Sequence, residues 1–392
     1  MAERNSSEKR KIDDILPKSE IVESGYLNSM LNNFTASYKM YWFKGIFTEI
    51  MKGKSQIAYR RIVARMIASA WYPVVYYKLS LGHSDKLADT ILYIHKELGV
   101  AREEKEEKIV EFVCESQDKK LSKMIKDFTN MVPYRLIRPF YQRELDRERK
   151  VNVDFADYKI NAMIEQYNRD DDGHAFYILN DQDEFLTVSR VWIYYLKQNA
   201  AIIEGWMNYK LVDYLQRRNP NVPAIPFKVF PPSDKDRSLS NETKYWNDIQ
   251  KEIPLYDIYT DTEFTKENLE QRGGMSIDHF IPWSFVLHNE IWNLYPMYRN
   301  VNSGKNNKLP DKDKYLESFC EKQYQAFMVA KKWEKGPRRN VAIRDQYLHV
   351  KQDIFELDGS DRGHDAFLTA MKQTIEPLYQ IANNQGYMVW RA

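Results

Sequence analysis

Cysteine is scarce: the 392 residues contain only Cys114 and Cys320. Two thiols cannot build a disulfide framework or a four-thiolate zinc site, which excludes the disulfide-stapled secreted class. Glycine and proline are also few, at 14 and 15, which argues for helix and against an all-β sandwich. Neither sign of charge dominates, since 58 Lys/Arg face 56 Asp/Glu; only the distribution of charge can point to a partner. Long apolar runs are missing too. The most apolar stretch, Ile62 to Leu81, is broken by Arg65, Pro73 and Lys78 and cannot be read as a membrane span. The start, Met1 to Asp14, is polar and lacks the apolar centre of a signal peptide. These absences lead us to expect a cytoplasmic protein of a reducing, prokaryote-like compartment with no membrane partner. What abounds is aromatic: 27 Tyr, 18 Phe and 9 Trp, rings that fill a core or line a binding surface.

The length favours two domains, because single cores stop growing near about 250–300 residues. Residues 1–20 read as a disordered tail. Residues 21–218 read as a helical domain with a small β hairpin. Ser55 is the expected N-cap of a helix whose inner face is Ile57, Ile62, Val63, Met66, Ile67, Ala70 and Trp71, ended or kinked by Pro73. Ser84 is the expected cap of the next, with Leu87, Ile91, Leu92 and Leu98 inward and Gly99 as its stop. The turn Asp170-Asp171-Asp172-Gly173 precedes an apolar run. A second turn, Asn180 to Asp183, leads into a long helix from about Thr187 to Arg218. Prolines 220, 223, 226, 231 and 232 then forbid helix, so residues 219–245 read as a proline-rich linker. A short helix from Thr243 to Ile253 opens the last part, 246–392. There is no internal repeat. Gly53-Lys54-Ser55 is no phosphate loop, since Thr48 stands where the first glycine is required.

The informative stretch runs from Ser276 to Lys305. Met275 to Ile281 is strand-like, between Gly274 and Pro282, with Asp278 and His279 towards its end. Leu294 to Met297 is a second short apolar run. Asn300 onward suits a helix that carries Asn302 and Lys305 at i and i+3, on one face. A carboxylate, an imidazole, carboxamides and an ammonium are thus brought by a strand end, a loop and a helix. Hydrolysis of a phosphodiester needs a base for water, a cation to neutralise charge, and a group that orients the base. His suits the base because its reference pKa of about 6.5 leaves it largely neutral at pH 7. Asp and Asn oxygens suit Mg²⁺. His288 is a rival base nine residues on, expected in a solvent-exposed loop.

Asp278-His279-x-x-Pro282, Asn293, Asn302 and Lys305 resemble the HNH (ββα-metal) nuclease motif. The spacing is like that of the HNH domain of RNA-guided CRISPR effector nucleases, and the whole chain resembles a large bacterial HNH endonuclease-domain protein. The resemblance implies a mainly α protein whose C-terminal part is a ββα-metal domain among helices. It implies His279 as general base, Asp278 and Asn302 as ligands of Mg²⁺ or Mn²⁺, Asn293 as holder of the loop that orients His279, and Lys305 near the phosphate. Other members bind structural zinc through cysteines upstream; here that place is Tyr256 to Asp261 without cysteine, so no structural zinc is expected. The implied activity is endonucleolytic cleavage of DNA, duplex rather than RNA, in restriction or anti-phage defence. A homing-type nuclease and a catalytically inactive nucleic-acid-binding or scaffold subunit are the alternatives. Leu294 to Asn340 holds 11 Lys/Arg against 5 Asp/Glu, a basic patch suited to a polyanion. Its expected DNA contacts are Lys308, Lys331, Lys332, Arg338 and Arg339, with Lys335 in the densest part. The N-terminal domain is left as a docking place for a protein or guide partner, and a homodimer stays open.

Overall fold

The computed structural model describes residues 16–31, 36–151, 159–171, 173–180, 182, 184–233, 235–333 and 337–391. The chain is mainly helical with few, small strands. It divides after Pro220 into two compact units, Met1–Pro220 and Asn221–Ala392.

In the first unit, helices Tyr38–Met51 and Tyr59–Trp71 lie close together. Gly45 permits this, since a Cβ there would sit 3.1 Å from the Ile62 carbonyl oxygen. Their contact also buries charge. Glu49 and Arg65 are fully buried and paired at 2.6 Å, and Arg65 reaches Glu107 of helix Glu106–Glu115 at 2.8 Å. A pair removed from water this way needs its remaining donors satisfied, and Arg61 supplies a further bond to Glu49 at 2.7 Å.

Several local expectations shift. Ser55 does not cap a helix: Gln56–Ala58 is a strand, β1, and the helix begins at Tyr59. β1 joins β2 (Tyr177–Asn180) and β3 (Phe185–Val188) in an antiparallel sheet of order β1-β3-β2. The expected hairpin thus gains a third strand from a distant segment. Pro73 lies in a π-helical turn, Tyr72–Tyr76. Asp85, not Ser84, caps Lys86–Lys96, its carboxylate accepting from the Leu87 N–H. The buried stripe of that helix is Leu87, Ile91 and Ile94, with Leu92 and Leu98 only half-buried. Gly99 has φ +74°, as a C-terminal stop requires. The single long helix is two, Arg190–Gln198 and Ala200–Arg218, broken at Asn199. The Asp171 carboxylate accepts from the N–H groups of Gly173 and Ala175, a local turn; Asp172 lies outside the described residues. Of the expected tail, residues 1–15 also lie outside them, whereas Leu16 is buried and the Pro17 carbonyl accepts from Tyr195 Oη.

In the second unit the proline-rich segment is not a free linker. Val222, Ile225 and Val229 are buried, and Lys228 is fully buried with Nζ 2.5 Å from the Phe285 carbonyl oxygen. Proline excludes helix but not apolar packing, and this segment packs. Helix Ser240–Gln250 follows. β4 (Met275–His279) and β5 (Leu294–Tyr298) then pair antiparallel, with Asp278 opposite Tyr295 and His279 opposite Leu294. Helix Arg299–Lys305 leaves β5 directly, completing a ββα unit. The ring of Phe280, just past β4, lies 4.4 Å from that of Phe319 on helix Lys312–Ala330. That helix also packs on Asp361–Asn384. The chain returns so that β7 (Val389–Trp390) runs parallel to β6 (Leu309–Pro310).

Candidate active site

Alternation along β4 sends Ser276 and Asp278 to one face and Ile277 and His279 to the other. Helix Arg299–Lys305 covers the first face. Asn302 Nδ2 donates to Ser276 Oγ at 3.1 Å, and Lys305, one turn later, reaches Asp278 Oδ2 at 2.7 Å. Lys305 also donates to the His279 carbonyl oxygen at 2.8 Å and is fully buried. It was expected near the phosphate; instead its ammonium is spent on the end of β4, because the helix directs it inward. Asp278 Oδ1 and Asn302 Oδ1 have no partner among the described residues. Two hard oxygens on one face fit a divalent cation that takes few protein ligands and keeps its waters. Such a site falls below a cluster of three acidic, His or Cys side chains, and none of those occurs among the described residues.

His279 is 7% exposed. Burial lowers its pKa to about 4; the Asp278 carboxylate and Asn289 work in the other direction. Its Nε2 lies 3.2 Å from the His288 carbonyl oxygen and 3.1 Å from Asn289 Oδ1. Both are acceptors, so Nε2 carries the proton and Nδ1 keeps a lone pair. His288 is half-buried rather than exposed. Its Nδ1 accepts from the Glu290 N–H at 3.4 Å, its ring lies 5.3 Å from Trp292, and burial lowers its pKa to about 4.

The loop between β4 and β5 is closed by Asn293. Its Oδ1 accepts from the Ile281 N–H at 2.8 Å, its Nδ2 donates to the Ile281 carbonyl at 2.9 Å, and its own carbonyl accepts from Phe280. Upstream, in the stretch Tyr256 to Asp261, Asp257 organises the turn. Fully buried, it accepts from Tyr259 and Thr260 through Oδ1 and from the Tyr298 N–H, at the start of the site helix, through Oδ2 at 2.7 Å. Asp257 and Asn289 were missed from sequence. A signal existed for Asp257, an Asp two residues ahead of the N–H it turns towards; Asn289 had none.

The basic residues do not act as one surface. Lys332 and Arg338 are exposed and Lys308 is half-buried. Lys331 instead donates to the Leu357 carbonyl at 2.5 Å, and Arg339 pairs with Asp248 at 3.0 Å. Lys335 lies outside the described residues.

Residues 257–311 match the family model described as HNH endonuclease. The chain thus carries an HNH endonuclease domain, within which the ββα unit lies, and such a domain implies a divalent metal and a nucleic-acid substrate. No curated protein and no solved structure matches the chain. No helix among the described residues is long and apolar enough to cross a membrane.

Proposed function

We propose that the protein is a Mg²⁺- or Mn²⁺-dependent endonuclease that hydrolyses DNA phosphodiester bonds. The observation carrying this reading is the convergence on β4: Asn302 and Lys305 come onto the strand whose end is Asp278 and His279. His279, neutral and with Nε2 already donating, offers Nδ1 to take a proton from water. The water oxygen then bonds to phosphorus as the bond to the 3′ oxygen breaks, and that oxygen takes up a proton, giving 5′-phosphate and 3′-hydroxyl ends. Asp278 and Asn302 would hold the cation, which supplies charge neutralisation at the phosphate and leaving oxygen. Lys305 holds the Asp278 side chain in place and fixes the backbone at His279; Asn293 holds the loop shut.

One ββα unit cuts one strand, so a double-strand break takes two protomers or two events. Duplex DNA as substrate, a cytoplasmic role in restriction or anti-phage defence, and partner docking by residues 21–218 belong to the same proposal. The test is nicking of supercoiled plasmid with Mg²⁺ or Mn²⁺, with and without EDTA. His279→Ala should lower the rate about 10²–10⁴-fold with DNA affinity kept. Cleavage by that variant at the wild-type rate would refute the assignment of the base.

A further inference from the structure

The matched segment begins at Asp257, yet Asn289, whose carboxamide meets the imidazole of His279, is itself held from further upstream. Asn289 Nδ2 faces two backbone carbonyls, Asp236 at 3.1 Å and Ser238 at 3.3 Å. Only the NH₂ end of a carboxamide can satisfy two carbonyls, so its orientation is fixed. Oδ1 is therefore turned to His279 Nε2, at 3.1 Å. An oxygen there can only accept, so the imidazole must donate through Nε2. The same upstream arm grips this stretch elsewhere: Lys228 donates to the Phe285 carbonyl, and Arg237 lies 5.7 Å from the ring of Trp283.

We propose that Asn289 is a positioning residue for His279, and that the arm of residues 221–233 and 235–239 completes the active site by holding Asn289. The carbonyls of Asp236 and Ser238 orient the carboxamide, the carboxamide oxygen fixes the ring, and Nδ1 is thereby presented to water. This rests on the reading of His279 as the base. It goes beyond the motif, because neither Asn289 nor the arm is among the motif's polar positions.

The experiment uses the full chain and plasmid DNA with Mg²⁺, under single turnover. Asn289→Ala should slow cleavage about tenfold or more, as loss of a group that orients a functional side chain does, with DNA affinity within twofold of wild type. Asn289→Asp, which keeps an acceptor for Nε2–H but sets a second oxygen against the carbonyls of Asp236 and Ser238, should recover only part of that loss. Because Asn289 acts only through His279, adding Asn289→Ala to His279→Ala should cost nothing further. A wild-type rate for Asn289→Ala, equal loss in the Ala and Asp variants, or further loss in the double variant would each overturn the proposal. If His279→Ala itself cuts normally, the base reading fails instead. In that case, or if the wild type cuts nothing, the ¹⁵N spectrum of the imidazole decides. Protonation at Nε2 that loosens in Asn289→Ala supports the positioning role, and an unchanged spectrum overturns it.

Discussion

Asn293 offers the sharpest test of how this site is held. Its side chain bonds both the N–H and the C=O of Ile281, twelve residues earlier, and both residues are fully buried. Asn293→Ala removes both partners and leaves no water to replace them. Each buried backbone group left unsatisfied costs about 1–3 kcal/mol, so the variant should lose about 2–6 kcal/mol. For a unit the size of Asn221–Ala392, each kcal/mol moves Tm by about 2–4 °C, which gives a fall of about 4–24 °C. Below that transition cleavage should also drop about 10²-fold, the typical cost of an ångström-scale misplacement of a catalytic group. Tryptophan fluorescence melts report the first effect and plasmid nicking at low temperature the second. An Asn293→Ala protein with Tm within about 1 °C of wild type and undiminished nicking would show that the loop is fixed by its apolar contacts alone.

Three further outcomes follow from the same geometry. Lys228 is fully buried, and burial lowers its pKa to about 7, against about 10.4 unfolded. The unfolded chain therefore binds the extra proton between those values, and stability should rise by about 1.4 kcal/mol per pH unit from about pH 7.5 to 9.5. Lys228→Met should abolish that slope in urea titrations, and an equal slope in both proteins would refute it. Mg²⁺ at millimolar concentration should raise the wild-type Tm and leave that of Asp278→Asn unmoved, since only a cation bound to the folded state stabilises it; equal shifts would remove Asp278 from the ligand set. Lys332→Glu with Arg338→Glu should weaken DNA binding and flatten its salt dependence by about 0.9 per lost phosphate contact. Lys331→Ala and Arg339→Ala, whose side chains bond within the fold, should lower Tm instead. Unchanged affinity and slope in the first pair would make that face mere solvated surface.

The sequence disclosed most where its signals were local. β4, β5 and the site helix fall within about two residues of the expected runs, because Gly274 and Pro282 bound the first, the second is a continuous apolar run, and polar residues from Asn300 open the third. The first unit was harder for a definable reason. Gln56–Ala58 carries no strand signal of its own; it is extended because β3 offers it a register, Ile57 opposite Leu186, from about 130 residues away. Ser84 and Asp85 are both good caps, and the choice fell to Asp85 because its carboxylate also accepts from Ser37 Oγ at 2.8 Å. Tertiary partners settle such ties, and a single sequence does not display them.

The same distinction explains the site. Asp278, His279, Asn293, Asn302 and Lys305 could be picked out because a strand, a loop and a helix adjacent in sequence deliver them. What holds them is less local. Lys305 was expected near the phosphate because the motif resemblance implies it. In a helix, however, side-chain direction is set by phase, and Lys305 sits three residues after Asn302, above Asp278. The anion it meets is the strand's own carboxylate. The proline-rich segment was read as a spacer because proline breaks helix. Yet a chain without helical hydrogen bonds keeps its carbonyls free to accept, and those of Asp236 and Ser238 take Asn289. Outside any helix, the stretch around Asp236 and Ser238 is well suited to orient a carboxamide beside the imidazole of His279.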